Sequence, residues 1–171
     1  MSLRKILNLV LFTAAGLLAT VACQAPEPLA SPAAPDYKAV NGPAFDTFIE
    51  VLNTKDYDKI NGAFAESFRR VAPDQNANGR EEMKSFIQQI HAAYPDFHIV
   101  IGESVYAKDL SFNQWTVTGS ASLEDGTAQP IEVTGVSMIR YADGMITEEW
   151  VYFDTATLSN QLGMSTMPHV E

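Results

Sequence analysis

From Phe45 to Tyr94 the large apolar residues recur every three or four positions, and from Phe97 to Phe153 they recur every two. The first period belongs to helices with one buried face, the second to strands with one buried face. Phe45, Phe48, Ile49, Val51 and Leu52 predict a helix over residues 43–53, with Pro43 in its first turn. Tyr57, Ile60 and Phe64 share one side of a shorter predicted helix over 56–65. Residues 68–72 read as a short strand ending at Pro73, and Asp-Gln-Asn-Ala-Asn-Gly over 74–79 reads as a loop. The clearest helix runs over 80–93, where Met83, Phe86, Ile87 and Ile90 form a stripe. Glu81 and Glu82 in its first turn suit the helix dipole, and Pro95 stops it.

Beyond Pro95, Phe97, Ile99, Ile101, Glu103 and Val105 alternate with Asp96, His98, Val100 and Gly102. Trp115, Val117, Gly119 and Ala121 mark a second strand. Over 131–141 a third places Val133, Ser137 and Ile139 on one face and Val136 and Met138 on the other. The turn pair Asp143-Gly144 opens a fourth. Met145, Thr147, Glu149, Val151 and Phe153 form its mostly apolar face, which reads as the core side. Ile146, Glu148, Trp150, Tyr152 and Asp154 form the other, with two carboxylates beside two aromatic rings. Burial among such rings raises a carboxylate's pKa and makes it a proton shuttle. The plainer reading is that Glu148 is solvated and Asp154 caps a last helix over 155–162. Short gaps between the strands imply hairpins. Helices first and a meander afterwards predict an α+β domain, an antiparallel sheet with the helices on one face and a pocket at the open end if the sheet curls.

The N-terminus adds a location. Arg4 and Lys5 precede an apolar run, residues 6–22, that ends at the only cysteine, Cys23. A basic start, an apolar middle and small residues at the exit read as a secretory signal peptide. Thr20-Val21-Ala22-Cys23 resembles a bacterial lipobox, which implies lipidation of Cys23 and an extracytoplasmic domain anchored to a membrane. No aspartate follows the cysteine, which points to the outer membrane in a cell with two. Residues 24–43, rich in proline and alanine, read as a tether, 44–163 as one domain and 164–171 as a tail. Removal of residues 1–23 takes away Arg4 and Lys5 and no acid, so the net charge moves from −10 to −12. Such a surface repels nucleic acid.

The order of motifs resembles a known family. Tyr94-Pro95-Asp96-Phe97-His98 is similar to the helix-to-sheet link of SnoaL-like polyketide cyclases and predicted ester cyclases. Residues 140–150, Arg-Tyr-Ala-Asp-Gly-Met-Ile-Thr-Glu-Glu-Trp, followed by Asp154 and Gln161-Leu162-Gly163, resemble its C-terminal signature. The resemblance implies a nuclear-transport-factor-2-like fold, a cone-shaped curved antiparallel sheet on N-terminal helices. It also implies acid/base ring closure without metal or cofactor, with Asp154 as the acid and Trp150, Tyr152 and Tyr94 around a small hydrophobic ligand; His91, on a helix face with Ile87 and Tyr94, reads as a further pocket residue or as a satisfied boundary histidine. Gly119-Ser120-Ala121 and a short turn at 124–126 stand where family members carry Gly-Thr-His and a longer loop.

His91, His98 and His169 are too scattered to predict a metal site, and neither a phosphate loop nor a Gly-x-Ser-x-Gly elbow occurs. Asn76-Ala77-Asn78-Gly79 lacks the spacing of a calcium loop. Arg69-Arg70 reads as a solvated pair or an anion contact. Two functions remain open: a cofactor-free cyclase or isomerase working through Asp154, and a ligand-binding or interaction lipoprotein without turnover. Partners expected are a small hydrophobic molecule, a membrane through the anchor, and a second copy through the outer sheet face. An Asp154 that only caps a helix removes the enzyme reading built on it.

Overall fold

A computed structural model describes residues 35–123 and 126–164. The expectations for the signal peptide, Cys23, most of the tether, Glu124, Asp125 and the tail with His169 lie outside the described residues. Helix α1 spans Tyr37–Thr54 and is followed by a 3-10 turn, Tyr57–Gly62. Strand β1 is Phe64–Val71, β2 is Ala77–Asn78, and α2 is Arg80–Ala93. The remainder is β3 (His98–Tyr106), β4 (Leu110–Ser122), β5 (Ala128–Ala142), β6 (Met145–Phe153) and α3 (Thr155–Gln161). None of the described helices is long and apolar enough to cross a membrane.

Helix α1 starts before the expected Pro43. The Asp36 carboxylate accepts the Ala39 amide at 3.1 Å and caps it, leaving Pro43 inside. An interior proline forfeits one helical hydrogen bond. Tertiary ties hold this part in place: the Asn41 amide donates to the carbonyls of Ala107 and Lys108, both at 3.2 Å. Residues 57–62 form a 3-10 turn instead of the expected α-helix, because β1 already begins at Phe64.

The six strands lie in the order β2-β1-β6-β5-β4-β3. The pairs from β3 to β6 are antiparallel hairpins, as the meander predicts, whereas β1 joins β6 in parallel. Helices α1 and α2 cover the inner face, where Phe45, Phe48, Leu52, Met83, Phe86 and Ile87 meet Phe64, Phe68, Trp115 and Val133 in one core. The Phe48 and Phe64 rings meet edge-to-face at 4.9 Å.

Two family-like motifs are clamps. Asp96 accepts the Ser120 amide at 2.6 Å and the Ser120 hydroxyl at 2.8 Å, fixing the link after α2 to β4. Gln161 exchanges two hydrogen bonds with the Glu132 backbone, at 2.8 and 2.9 Å, and docks α3 on β5.

One irregularity breaks the alternation of β6. Arg140 pairs with Glu148 but Tyr141 pairs with Ile146, so Thr147 is an extra residue in β6. Such a bulge moves the residues before it to the opposite face from strict alternation. Ile146 therefore points inward with Glu149, Val151 and Phe153, while Glu148, Trp150 and Tyr152 stay on the outer face.

Candidate functional site

Between the two helices and the inner sheet face lies a cavity of about 340 Å³. Its walls are mainly apolar, and aromatic rings from α1, α2, β4 and β6 (Phe48, Phe86, Trp115 and Phe153 among them) make up much of them. The wall is polar where Arg70, Asp74, Gln75, Ser137 and Glu149 meet.

Glu149 is 3 % exposed. Its Oε1 accepts the Ser137 hydroxyl at 2.9 Å, and Ser137 Oγ in turn accepts the Trp115 indole N–H at 3.1 Å. Its Oε2 is buried without a hydrogen bond, 3.5 Å from Nε of Arg70. Burial pushes the carboxyl's pKa up, and the attraction of Arg70 and the Ser137 hydrogen bond only partly offset this. Because Ser137 commits its proton to Oε1, Oε2 is the oxygen left to take or give one.

Arg70 is 6 % exposed and reaches this wall from β1. Asp74 grips it in a fork, at 2.9 and 3.2 Å, and the Gln75 carbonyl accepts a further N–H. Its guanidinium lies 4.3 Å from the Phe86 ring centroid. The cation is thereby fixed beside Glu149 and neutralised from its far side. The floor is shaped by Gly135, where a Cβ would come within 2.3 Å of the Trp115 ring. Only a glycine leaves room for the indole at that place.

Known proteins show the same architecture. The family model for SnoaL-like polyketide cyclases matches residues 44–162. The chain belongs to that family. No curated protein sequence matches it. Among solved structures, IdmH of Streptomyces antibioticus, a candidate polyketide cyclase, is 25 % identical with a TM-score of 0.64, covering 72 % of this chain and 98 % of that one. A candidate polyketide cyclase of Bacillus cereus is 24 % identical with a TM-score of 0.63, covering 72 % and 80 %. A ketosteroid isomerase-like protein of Catenulispora acidiphila, crystallised with trimethylamine, is 17 % identical with a TM-score of 0.63, covering 73 % and 97 %. The α+β, nuclear-transport-factor-2-like fold is thus the one that this chain adopts.

Within this SnoaL-like domain the expected site residues scatter. Asp154 does not line the cavity. It is exposed and caps α3: Oδ1 accepts the amides of Ala156 and Thr157 at 2.9 and 3.2 Å, and Oδ2 accepts the Thr157 hydroxyl at 2.6 Å. Those hydrogen bonds hold its carboxyl below the ordinary range, the wrong direction for a proton shuttle at neutral pH. The enzyme reading that rested on Asp154 loses its acid. Trp150 and Tyr152 are on the outer sheet face, on the wrong side for the pocket, because Val151 and Phe153 hold the inner positions.

His91 is buried but lies behind the cavity wall. Its Nε2 meets the Leu52 carbonyl at 2.8 Å and its Nδ1 the Tyr57 hydroxyl at 2.9 Å, so both ring nitrogens are engaged in joining α2 to α1 and the 3-10 turn. Tyr94 does line the cavity. Among the described residues no cluster of three or more His, Cys, Asp or Glu side chains has a metal-binding arrangement.

Glu149 and Arg70 were the residues to notice. Glu149 alternates with Val151 and Phe153 on the apolar face of its strand, and Arg70 shares the parity of Phe68 on β1. A charge on a core face is costly unless it is paired. One acid and one base, each in that position, signal a buried pair.

Proposed function

We propose that this domain binds a small, largely apolar molecule in the cavity and that Glu149 exchanges a proton with it. The observation that carries this is Oε2 of Glu149, buried without a hydrogen bond beside Arg70 in a polar stretch of an aromatic-lined cavity. Its volume falls within the range of small-molecule sites, about 300–1,000 Å³. A carboxylate there takes a proton from a carbon beside a carbonyl and, as the acid, returns it to another atom of the same molecule. The Arg70 guanidinium beside it stabilises the negative charge that develops between the two steps. This is cofactor-free cyclase or isomerase chemistry, with Glu149 in the role that the motif order had suggested for Asp154.

The test uses the full-length chain in mild detergent and 2-tetralone, a bicyclic ketone with acidic carbon-bound hydrogens. Exchange of those hydrogens in D₂O, followed by NMR, should run faster than in buffer, and Glu149→Gln should slow it by roughly 10²–10⁴-fold. Asp154→Ala should leave it unchanged. Quenching of tryptophan fluorescence by tetralone without any exchange would support the second reading, a ligand-binding lipoprotein without turnover. The Arg70–Glu149 pair favours that reading in one respect, since it also stands as a structural ion pair.

We also propose that the mature chain is extracytoplasmic and held to a bacterial membrane, the outer one where there are two, by lipidated Cys23. The basic, apolar and small-residue segments ending at Cys23 support this. Cys23→Ala should move the protein from the membrane to the soluble fraction; unchanged retention would sink the anchor.

A further inference from the structure

The charges along the cavity wall do not balance. Among the described residues that line it, two are acids, Asp74 and Glu149, and one is a base, Arg70. Asp74 holds Arg70 through both carboxylate oxygens, at 2.9 and 3.2 Å, and that pair is neutral by itself. Glu149 stands on another side of the guanidinium, with Oε2 3.5 Å from Nε and without a hydrogen bond. An ionised Glu149 therefore leaves the wall one positive charge short. The donors around it are already committed. The terminal nitrogens of Arg70 serve Asp74 and the Gln75 carbonyl, the Ser137 hydroxyl serves Oε1, and the Trp115 indole N–H serves Ser137. What an ionised Glu149 offers the cavity is an acceptor, Oε2. Two aromatic rings stand near it: Phe86, whose centroid is 4.3 Å from the Arg70 guanidinium, and Trp115, tied to Ser137 at 3.1 Å. Aromatic faces attract cations, most strongly away from water.

We propose that the cavity also takes a hydrophobic amine, held as an ammonium against Oε2 of Glu149, and that this ligand shuts off proton exchange at the same oxygen. The proposal rests on the reading of the cavity as a ligand site with Glu149 in its polar wall. The proton balance is short. A neutral amine gives its nitrogen lone pair to the proton on Oε2, the O–H bond breaks, and an ammonium N–H donates back to the carboxylate. An amine that arrives protonated sends the carboxyl proton to water instead. No other bond changes. Basicity sets the direction: an alkylamine such as the lysine side chain has an ordinary pKa of about 10.4, against about 4.3 for glutamate.

With the amine in place, charges alternate along the wall: Asp74, Arg70, Glu149 and the ammonium, two of each sign. Each buried charge then has an opposite neighbour, the condition under which ions are tolerated away from water. Asp74 and Gln89 line the same cavity and carry further acceptor oxygens for a second N–H. A ketone asks the contrary of the site, because its carbonyl oxygen needs a proton on Oε2. The two ligand classes thus favour opposite states of one residue, and either excludes the other. Outside the cavity, the excess of acidic over basic side chains, 21 against 11, draws cations towards the chain.

The experiment compares 2-aminotetralin with 2-tetralol, a neutral molecule of nearly the same shape, by tryptophan fluorescence titration of the full-length chain in mild nonionic detergent near neutral pH. The amine should bind at least ~tenfold more tightly than the alcohol. It should also displace 2-tetralone, followed by ligand NMR, and stop its exchange in D₂O. Glu149→Gln should bring the amine's advantage close to one while the alcohol still binds. Glu148→Gln, which removes an acid from the outer sheet face, should keep the wild-type advantage and so exclude a general attraction to the acidic surface. Equal affinities in the wild type, an advantage that survives Glu149→Gln, or tetralone that stays bound under saturating amine overturns the proposal. The first and third are read without any variant. Tetralone exchange with no advantage for the amine sinks this proposal alone, whereas failure of ketone, alcohol and amine alike to bind sinks the ligand site as well.

Discussion

At the scale of single residues, Glu149 has one oxygen engaged by Ser137 and one with no hydrogen bond. Its pKa is raised chiefly by burial, so the folded chain holds this proton more tightly than the unfolded chain does. Glu149 therefore contributes least when ionised: its contribution is intact at low pH and is lost as pH rises from the ordinary glutamate range through the folded value. The melting temperature of Glu149→Gln, relative to the wild type, should climb as pH is raised from 4 to 8. A flat or falling difference would mean that Arg70 over-compensates burial and that the carboxylate is a structural ion. Asp154 shows the contrary case. An acid at a strand end has two neighbours to serve, the pocket and the next helix, and here three hydrogen bonds assign it to the helix. Its residue type and position are the same under either role, so nothing local in the sequence separates them.

At the scale of elements, the bulge at Thr147 turns Ile146 into the core, and the gap at Gly135 seats the Trp115 ring that lines the cavity. The bulge sets Ile146 and Glu149 on one face, which strict alternation forbids. Gly135 lets the Trp115 indole lie against β5, where its N–H reaches Ser137. Gly135→Ala would force a methyl group into the ring, and overpacking of this kind costs about 1–3 kcal/mol. Denaturant melts should show that loss. Displacement of the indole should also weaken tetralone binding; stability lowered with binding untouched would show that Trp115 does not organise the floor. Elements with unbroken periods, α2, β4 and β5, form where they were expected, since one buried face of each fixes its pattern. The start of α1 was hidden because six residues before Pro43 carry little apolar periodicity and owe their order to Asn41 and the β3–β4 hairpin.

At the scale of the whole molecule, His91 joins α2 to both α1 and the 3-10 turn, and its Phe97 contact reaches the link into the sheet. Burial, with Lys55 nearby, lowers its pKa, against the pull of the Leu52 carbonyl. The unfolded chain then binds the extra proton more readily. Stability should be fullest above the ordinary histidine value of about 6.5 and should decline as pH falls from there towards the folded value. His91→Gln should flatten that part of the melting-temperature profile; an unaltered slope would assign it to other groups.

Read without a structure, the chain already determined the order of helices and strands, the sheet-and-helix class and the family. These follow from local periods, turn residues and motif order, which act over a few neighbouring positions. Only the tertiary structure decided which charges are inside. Glu149 and Arg70 come from strands near opposite ends of the domain, and their pairing depends on a parallel β1–β6 contact that no hairpin announces. The face of Glu149, Val151 and Phe153 already read as the core side, whereas the motif resemblance had set Trp150, Tyr152 and Asp154 at the pocket, and the helix packing leaves them outside it. A strand's alternation defines two faces, and only the packing of the helices chooses the buried one.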